Sequence, residues 1–136
     1  MKKITVLTLA LVMFLGIALP AMAADTPEQV YAKINKAIHA RDVDELMKHV
    51  SEKSKQDLEK HKEDLPKMIK LIQVMTPEEY EIVDKQISGD TATLKLTAMM
   101  NFFGMGEPKP AEGTVKMVKE EGQWKLDKED WKQKGE

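Results

Sequence analysis

The sequence has no cysteine, only seven aromatic residues among 136, and no surplus of positive charge. Without cysteine there is no thiol nucleophile, no disulfide framework, and no lipid-modified cysteine of the kind that anchors bacterial lipoproteins. With 21 Lys+Arg against 23 Asp+Glu, the chain has no basic footprint to displace counterions from nucleic acid. It is equally ill-matched to an anionic membrane surface. Long apolar runs are scarce too. The one that exists, Ile4 to Leu19, is 16 residues, short of the roughly 20 that a spanning helix needs. It follows Met1-Lys2-Lys3 and precedes Pro20-Ala21-Met22-Ala23, with small residues at the −3 and −1 positions of a signal peptidase site. Residues 1–23 are therefore expected to be a signal peptide cut after Ala23. That leaves a periplasmic or secreted protein with no stable membrane anchor. The remainder, residues 24–136, is 113 residues with a net charge of −4, enough for one domain and one small core.

Helical signals come first. Thr26-Pro27-Glu28-Gln29 carries a capping threonine, proline at the first helical position and Gln29 in the capping-box slot. Val30, Ile34, Ala37 and Ile38 then recur at helical spacing until Ala40-Arg41. Asp42 caps a second, short helix with Val43, Leu46, Met47 and Val50 on one face. From Ser51 to Asp64 the chain is almost wholly polar. The pairs Lys53/Asp57, Lys55/Glu59 and Lys60/Asp64 suggest a solvated helix laced by weak ion pairs. Pro66 interrupts it, Asp64 is placed to cap the continuation, and Met68, Ile69, Leu71, Ile72 and Met75 make that continuation strongly apolar. Thr76-Pro77 closes the helical half.

The period then changes. Tyr80 to Ile87 is rich in β-formers, and Ser88-Gly89-Asp90 is a turn. Thr91 to Phe103 alternates, with Leu94, Leu96, Ala98, Met100 and Phe102 on one face and Thr93, Lys95, Thr97, Met99 and Asn101 on the other. Gly104 to Gly113 reads as a loop, Thr114–Lys119 and Gln123–Asp127 as a hairpin about Glu121-Gly122, and Asp130-Trp131-Lys132 as the start of a polar tail. Helices followed by strands define an α+β domain with N-terminal helices packed on the concave face of a curved antiparallel sheet.

Two stretches carry a family resemblance. Val30 to Leu46 is similar to the opening helix, short polar turn and second helix of the nuclear transport factor 2-like superfamily. Gly113 to Leu126, with its Gly122 turn ahead of Trp124, resembles that superfamily's last hairpin. The resemblance implies a cone-shaped domain and places the chain nearest the small exported, lumazine-binding-like members. The charged helix of the middle region, and too few clear strands for a full cone, depart from the pattern. Some relatives are cavity isomerases or lyases. In ketosteroid isomerase the catalytic Tyr precedes the Asp of the first turn by eight residues, and the same count back from Asp42 falls on Ile34, an apolar position; Tyr31 lies a turn earlier, at the core edge.

Other chemistry finds little footing. There is no G-x-S-x-G elbow around Ser51, Ser54 or Ser88, and Gly104-Met105-Gly106 runs into prolines instead of a helix. His39 and His49 fall on polar helix sides. His61 lies nearer an apolar stripe, but none has a partner at metal-ligand spacing, so no metal or cofactor is expected. Met99, Met100 and Met105 raise the question of Cu(I), yet neighbouring strand residues point to opposite faces, and gap-filling thioethers fit better. The expectation is a non-enzymatic domain holding a small apolar ligand or peptide against Ile34, Ile38, Ile69, Ile72, Leu94, Leu96, Ala98, Met100, Phe102 and Trp124. A filled core is a near-equal account of the same residues. The rival is a lyase or isomerase using Asp84, Tyr80 or His61, and a homodimer through Thr93, Thr97, Met99 and Val115 is a further option.

Overall fold

The computed structural model describes residues 24–102 and 106–135, so the segment expected to be a signal peptide and the stretch holding Phe103, Gly104 and Met105 lie outside the described residues. Helix α1 spans Pro27–Ala40. Its start is the expected capping box: Gln29 N–H donates to Thr26 Oγ1 at 3.3 Å, and Thr26 N–H donates to Gln29 Oε1 at 2.9 Å. It ends where Arg41 turns left-handed (φ 54°) and returns its N–H to the last carbonyls. Asp42 Oδ1 then accepts from Glu45 N–H and caps α2, Val43–Lys48.

Helix α3 is shorter than the charge pattern suggests, Glu52–Glu59, and turns occupy residues 60–64. The three expected i,i+4 ion pairs do not form among the described residues; Lys60 instead reaches Asp57 at 3.4 Å, both exposed. Pro66 sits in the first turn of α4, Leu65–Met75, where its missing N–H costs nothing, so it helps begin this helix instead of interrupting an older one. Asp64 is at the N-cap but makes no side-chain capping bond. His61, placed near an apolar stripe by the helical wheel, is exposed in the 60–64 turns because the helix has already ended.

Four strands follow, β1 (Glu81–Ser88), β2 (Thr91–Met100), β3 (Lys109–Glu120) and β4 (Gln123–Gln133), in an antiparallel meander of order β1-β2-β3-β4. The β3–β4 turn has both central residues at positive φ, Glu121 at 50° and Gly122 at 76°, as a two-residue hairpin matching strand twist requires. Two expectations fail here. Residues 109–113 belong to β3 and are not loop, with Pro110 opposite Met99 and Gly113 opposite Leu96. Asp130-Trp131-Lys132 is no tail but continues β4 along β3. The reason is a bulge: Met117 pairs with Leu126, whereas Lys116 pairs with Lys128, leaving Asp127 as an extra residue. The slip of one residue reverses the alternation, so Glu129 and Trp131, opposite the buried Val115 and Gly113, turn inward. A second bulge, at Val83 in β1, adds to the curvature of the sheet.

The helices lie on the inner face. Val30, Tyr31, Ile34, Ala37 and Ile38 of α1 pack with Leu46, Val50 and Ile69 against Ala92, Leu94, Leu96, Val115, Met117 and Trp124. Val115 is thus inside, not on an outer face available to a second copy, whereas Met99 is exposed. The edge of β4 is closed by residues 49–51: Leu126 N–H donates to His49 O and Ser51 N–H to Leu126 O, each at 2.7 Å. No described residue covers the β1 edge in this way, and all residues of β1 are exposed. Helix α4 buries only Ile69 fully. Leu71, Val74 and Met75 are 61%, 56% and 47% exposed, so its apolar stripe is wider than the surface it covers.

Candidate functional site

The bulge in β4 brings a carboxylate into the aromatic end of the core. Glu129 Oε1 accepts from the Tyr31 hydroxyl at 2.7 Å and from Trp131 Nε1 at 2.8 Å. Tyr31 comes from α1 and is fully buried. Its ring meets Tyr80 edge-on, centroids 4.9 Å apart at 73°, a favoured aromatic geometry. Burial pushes the Tyr31 hydroxyl far above the usual tyrosine range, and the adjacent Glu129 charge pushes the same way. Tyr80 is raised for the same two reasons, burial first. Both phenols therefore stay protonated at neutral pH, and Tyr31 acts as a fixed donor that keeps its proton.

Only one oxygen of Glu129 is engaged. Among the described residues Oε2 takes no hydrogen bond, and the carboxylate has no ion-pair partner. It lines a cleft of ≈ 290 Å³ whose other walls are Leu71, Ile72, Val74 and Met75 at the end of α4, its cap Thr76, Met100 at the end of β2, Phe102 two residues beyond that strand, and Asp130 and Trp131 of β4. The arrangement is an apolar slot with one carboxylate and the Trp131 indole among its walls.

The ten residues expected to form a pocket divide into three groups. Ile34, Ile38, Ile69, Leu94, Leu96 and Trp124 pack on one another in the core. Ile72, Met100 and Phe102 line the cleft. Ala98 borders a separate, more open hollow with Tyr80, Thr97 and Met99. The rival trio does not converge: Tyr80 is tied to Tyr31, Asp84 lies exposed on β1 opposite Lys95, and His61 is on the exposed turn after α3. His49, expected in solvent, is partly buried and paired with Glu45 at 3.0 Å. No group of three or more metal-ligating side chains occurs among the described residues. Glu129 and Trp131 were missed because charged neighbours on both sides of each mask the alternation; the aromatic at 131 within a run of charges was the one available signal.

No protein-family model and no curated protein matches the sequence. Solved structures of the same shape do. A protein from Campylobacter jejuni described as a nuclear transport factor 2-like transpeptidase is 12% identical, with 76% of this chain and 99% of that one covered and a TM-score of 0.56. A protein from Thiobacillus denitrificans described as a calcium/calmodulin-dependent protein kinase type II association domain is 11% identical over 82% and 97%, with a TM-score of 0.57. A SEC-C motif-containing protein from Rhodopseudomonas palustris is 13% identical over 77% of each chain, with a TM-score of 0.55. Four helices followed by a curved four-stranded antiparallel sheet make the fold nuclear transport factor 2-like. At these identities the likeness is one of fold, and none of the three is described as lumazine-binding.

Proposed function

We propose that the chain is an exported, non-enzymatic domain that seats a small apolar ligand in the cleft between α4 and the ends of β2 and β4. One observation carries the reading. Leu71, Val74 and Met75 stay exposed beside a slot walled by Ile72, Met100 and Phe102, so a ligand entering there removes apolar surface from water that folding has left exposed. The non-enzymatic part is supported by the way the cleft's polar groups are used: Tyr31 and Trp131 are committed as donors to Glu129, Asp130 is paired with Lys128, and among the described residues Thr76 makes no hydrogen bond to the carboxylate. Export is supported by the basic start, the 16-residue apolar run and the Ala21-Met22-Ala23 cut site.

Native mass spectrometry of the protein purified from its own host tests both parts. The expected species begins at Ala24 and carries a small apolar adduct that is lost when Met75 is replaced by Asp. A chain beginning at Met1 overturns the export reading. A bare protein that also fails to bind 1-octanol overturns the ligand reading.

A further inference from the structure

Resting on that cleft reading, we infer that the ligand is an organic amine: its ammonium group meets Glu129 Oε2 and its apolar body lies along α4. The carboxylate is held in place before any ligand arrives. Tyr31 and Trp131 both donate to Oε1, at 2.7 and 2.8 Å, which fixes the group and leaves Oε2 open. Glu129 is partly buried beside Met100, Phe102 and Trp131, where a carboxylate attracts a cation more strongly than it does in bulk water. No cationic partner exists among the described residues. The nearest lysine in sequence, Lys128, pairs with Asp130 at 3.4 Å, and Lys85 and Lys33 are engaged with Glu28 and Asp25. The missing positive charge is what a ligand ammonium supplies.

The cleft discriminates by charge and by size. A ligand carboxylate would meet Glu129 and Asp130 together. A neutral alcohol could hydrogen-bond to Oε2 but would bring no charge, and a charge-assisted hydrogen bond is roughly twice as strong as a neutral one. The indole of Trp131 offers a further favourable surface to a cation. At interior packing density ≈ 290 Å³ accommodates roughly ten non-hydrogen atoms, the size of a short alkylamine or arylalkylamine.

The test is isothermal titration of residues 24–136 at pH 7 with n-octylamine, 1-octanol and octanoate. The expected result is octylammonium at least tenfold tighter than octanol, with octanoate weakest. Glu129→Gln, which keeps an acceptor for Tyr31 and Trp131, should remove the tenfold gap while octanol binding persists. Glu121→Gln in the β3–β4 turn should leave the gap intact. Equal binding of octanol and octylammonium to the unaltered protein, or a gap that survives Glu129→Gln, overturns the amine inference and leaves the apolar cleft standing. Binding of none of the three overturns the cleft reading itself. Should Glu129→Gln not fold, the octylamine/octanol ratio on the unaltered protein decides alone.

Discussion

Trp131 lies flat against Gly113: the two are cross-strand partners on β4 and β3, and a Cβ built on Gly113 would stand 2.8 Å from three atoms of the indole. The backbone at Gly113 is not left-handed, so the requirement for glycine is one of space alone. Gly113→Ala should cost about 1–3 kcal/mol through overpacking. It should also lift the indole away from Glu129. Urea unfolding followed by tryptophan fluorescence checks both, since the stability loss and a changed native emission should appear together.

The buried phenol makes a different prediction. Tyr31→Phe removes one of the two donors to Glu129 Oε1 and should cost about 2 kcal/mol near neutral pH, in the range of hydrogen bonds to charged groups. The pH dependence has a definite sign. Tyr31 is raised above its ordinary value of 10.0, so above about pH 10 the unfolded chain releases a proton that the folded protein keeps. The contribution is complete below that pH and is lost as pH rises toward the folded value, at a slope of about 1.4 kcal/mol per pH unit. Tyr80 is displaced the same way, so Tyr31→Phe should reduce the alkaline slope without abolishing it. Urea midpoints between pH 8 and 11 measure the difference.

Ser51 joins two elements at once. Its hydroxyl accepts from Ser54 N–H as the cap of α3 and donates to Asp127 Oδ1 at 3.0 Å, tying the helix to the bulge residue of β4. Ser51→Ala should cost about 1–2 kcal/mol. Hydrogen exchange should accelerate through Glu52–Glu59 while β2 and β3 keep their protection.

Helix α4 should respond unequally along its length. Ile69 is buried, and Ile69→Ala should cost about 2–5 kcal/mol. Leu71→Ala, two residues on but exposed, should stay within about 0.5 kcal/mol in the ligand-free protein. Thermal melts of the two variants separate packing from cleft lining, because only the second should weaken octanol binding without lowering the melting temperature.

Much of the fold was legible because local chemistry and tertiary structure agree. The Thr26–Gln29 box, the Asp42 cap, the Glu121-Gly122 turn and the alternation of Leu94 and Leu96 each specify an element within a few residues, and each appears as expected. What was not legible depends on partners distant in sequence. Apolar spacing in α4 marks Leu71, Val74 and Met75 as a stripe but says nothing of whether the sheet extends far enough to cover them. The bulge at Asp127 is the sharper case. Without it, Lys128, Asp130 and Lys132 would continue the inner face after Leu126, an arrangement no core accepts, so period-two reasoning ends the strand. One inserted residue exchanges them for Glu129 and Trp131, and with them comes the carboxylate on which the candidate site turns.

The bond between Tyr31 and Glu129 joins positions 98 residues apart, and that between Ser51 and Asp127 spans 76. The meander needs no such reach, since each strand pairs with its immediate successor. Assembly should thus proceed in a fixed order: hairpins close from neighbours first, and the helices dock only after the loop entropy of most of the chain has been lost. Until β4 exists, α1 lacks its bond to Glu129 and α3 its tie to Asp127, so a nascent chain arrested ahead of Gln123 should be more open to chaperones and proteases than the finished one.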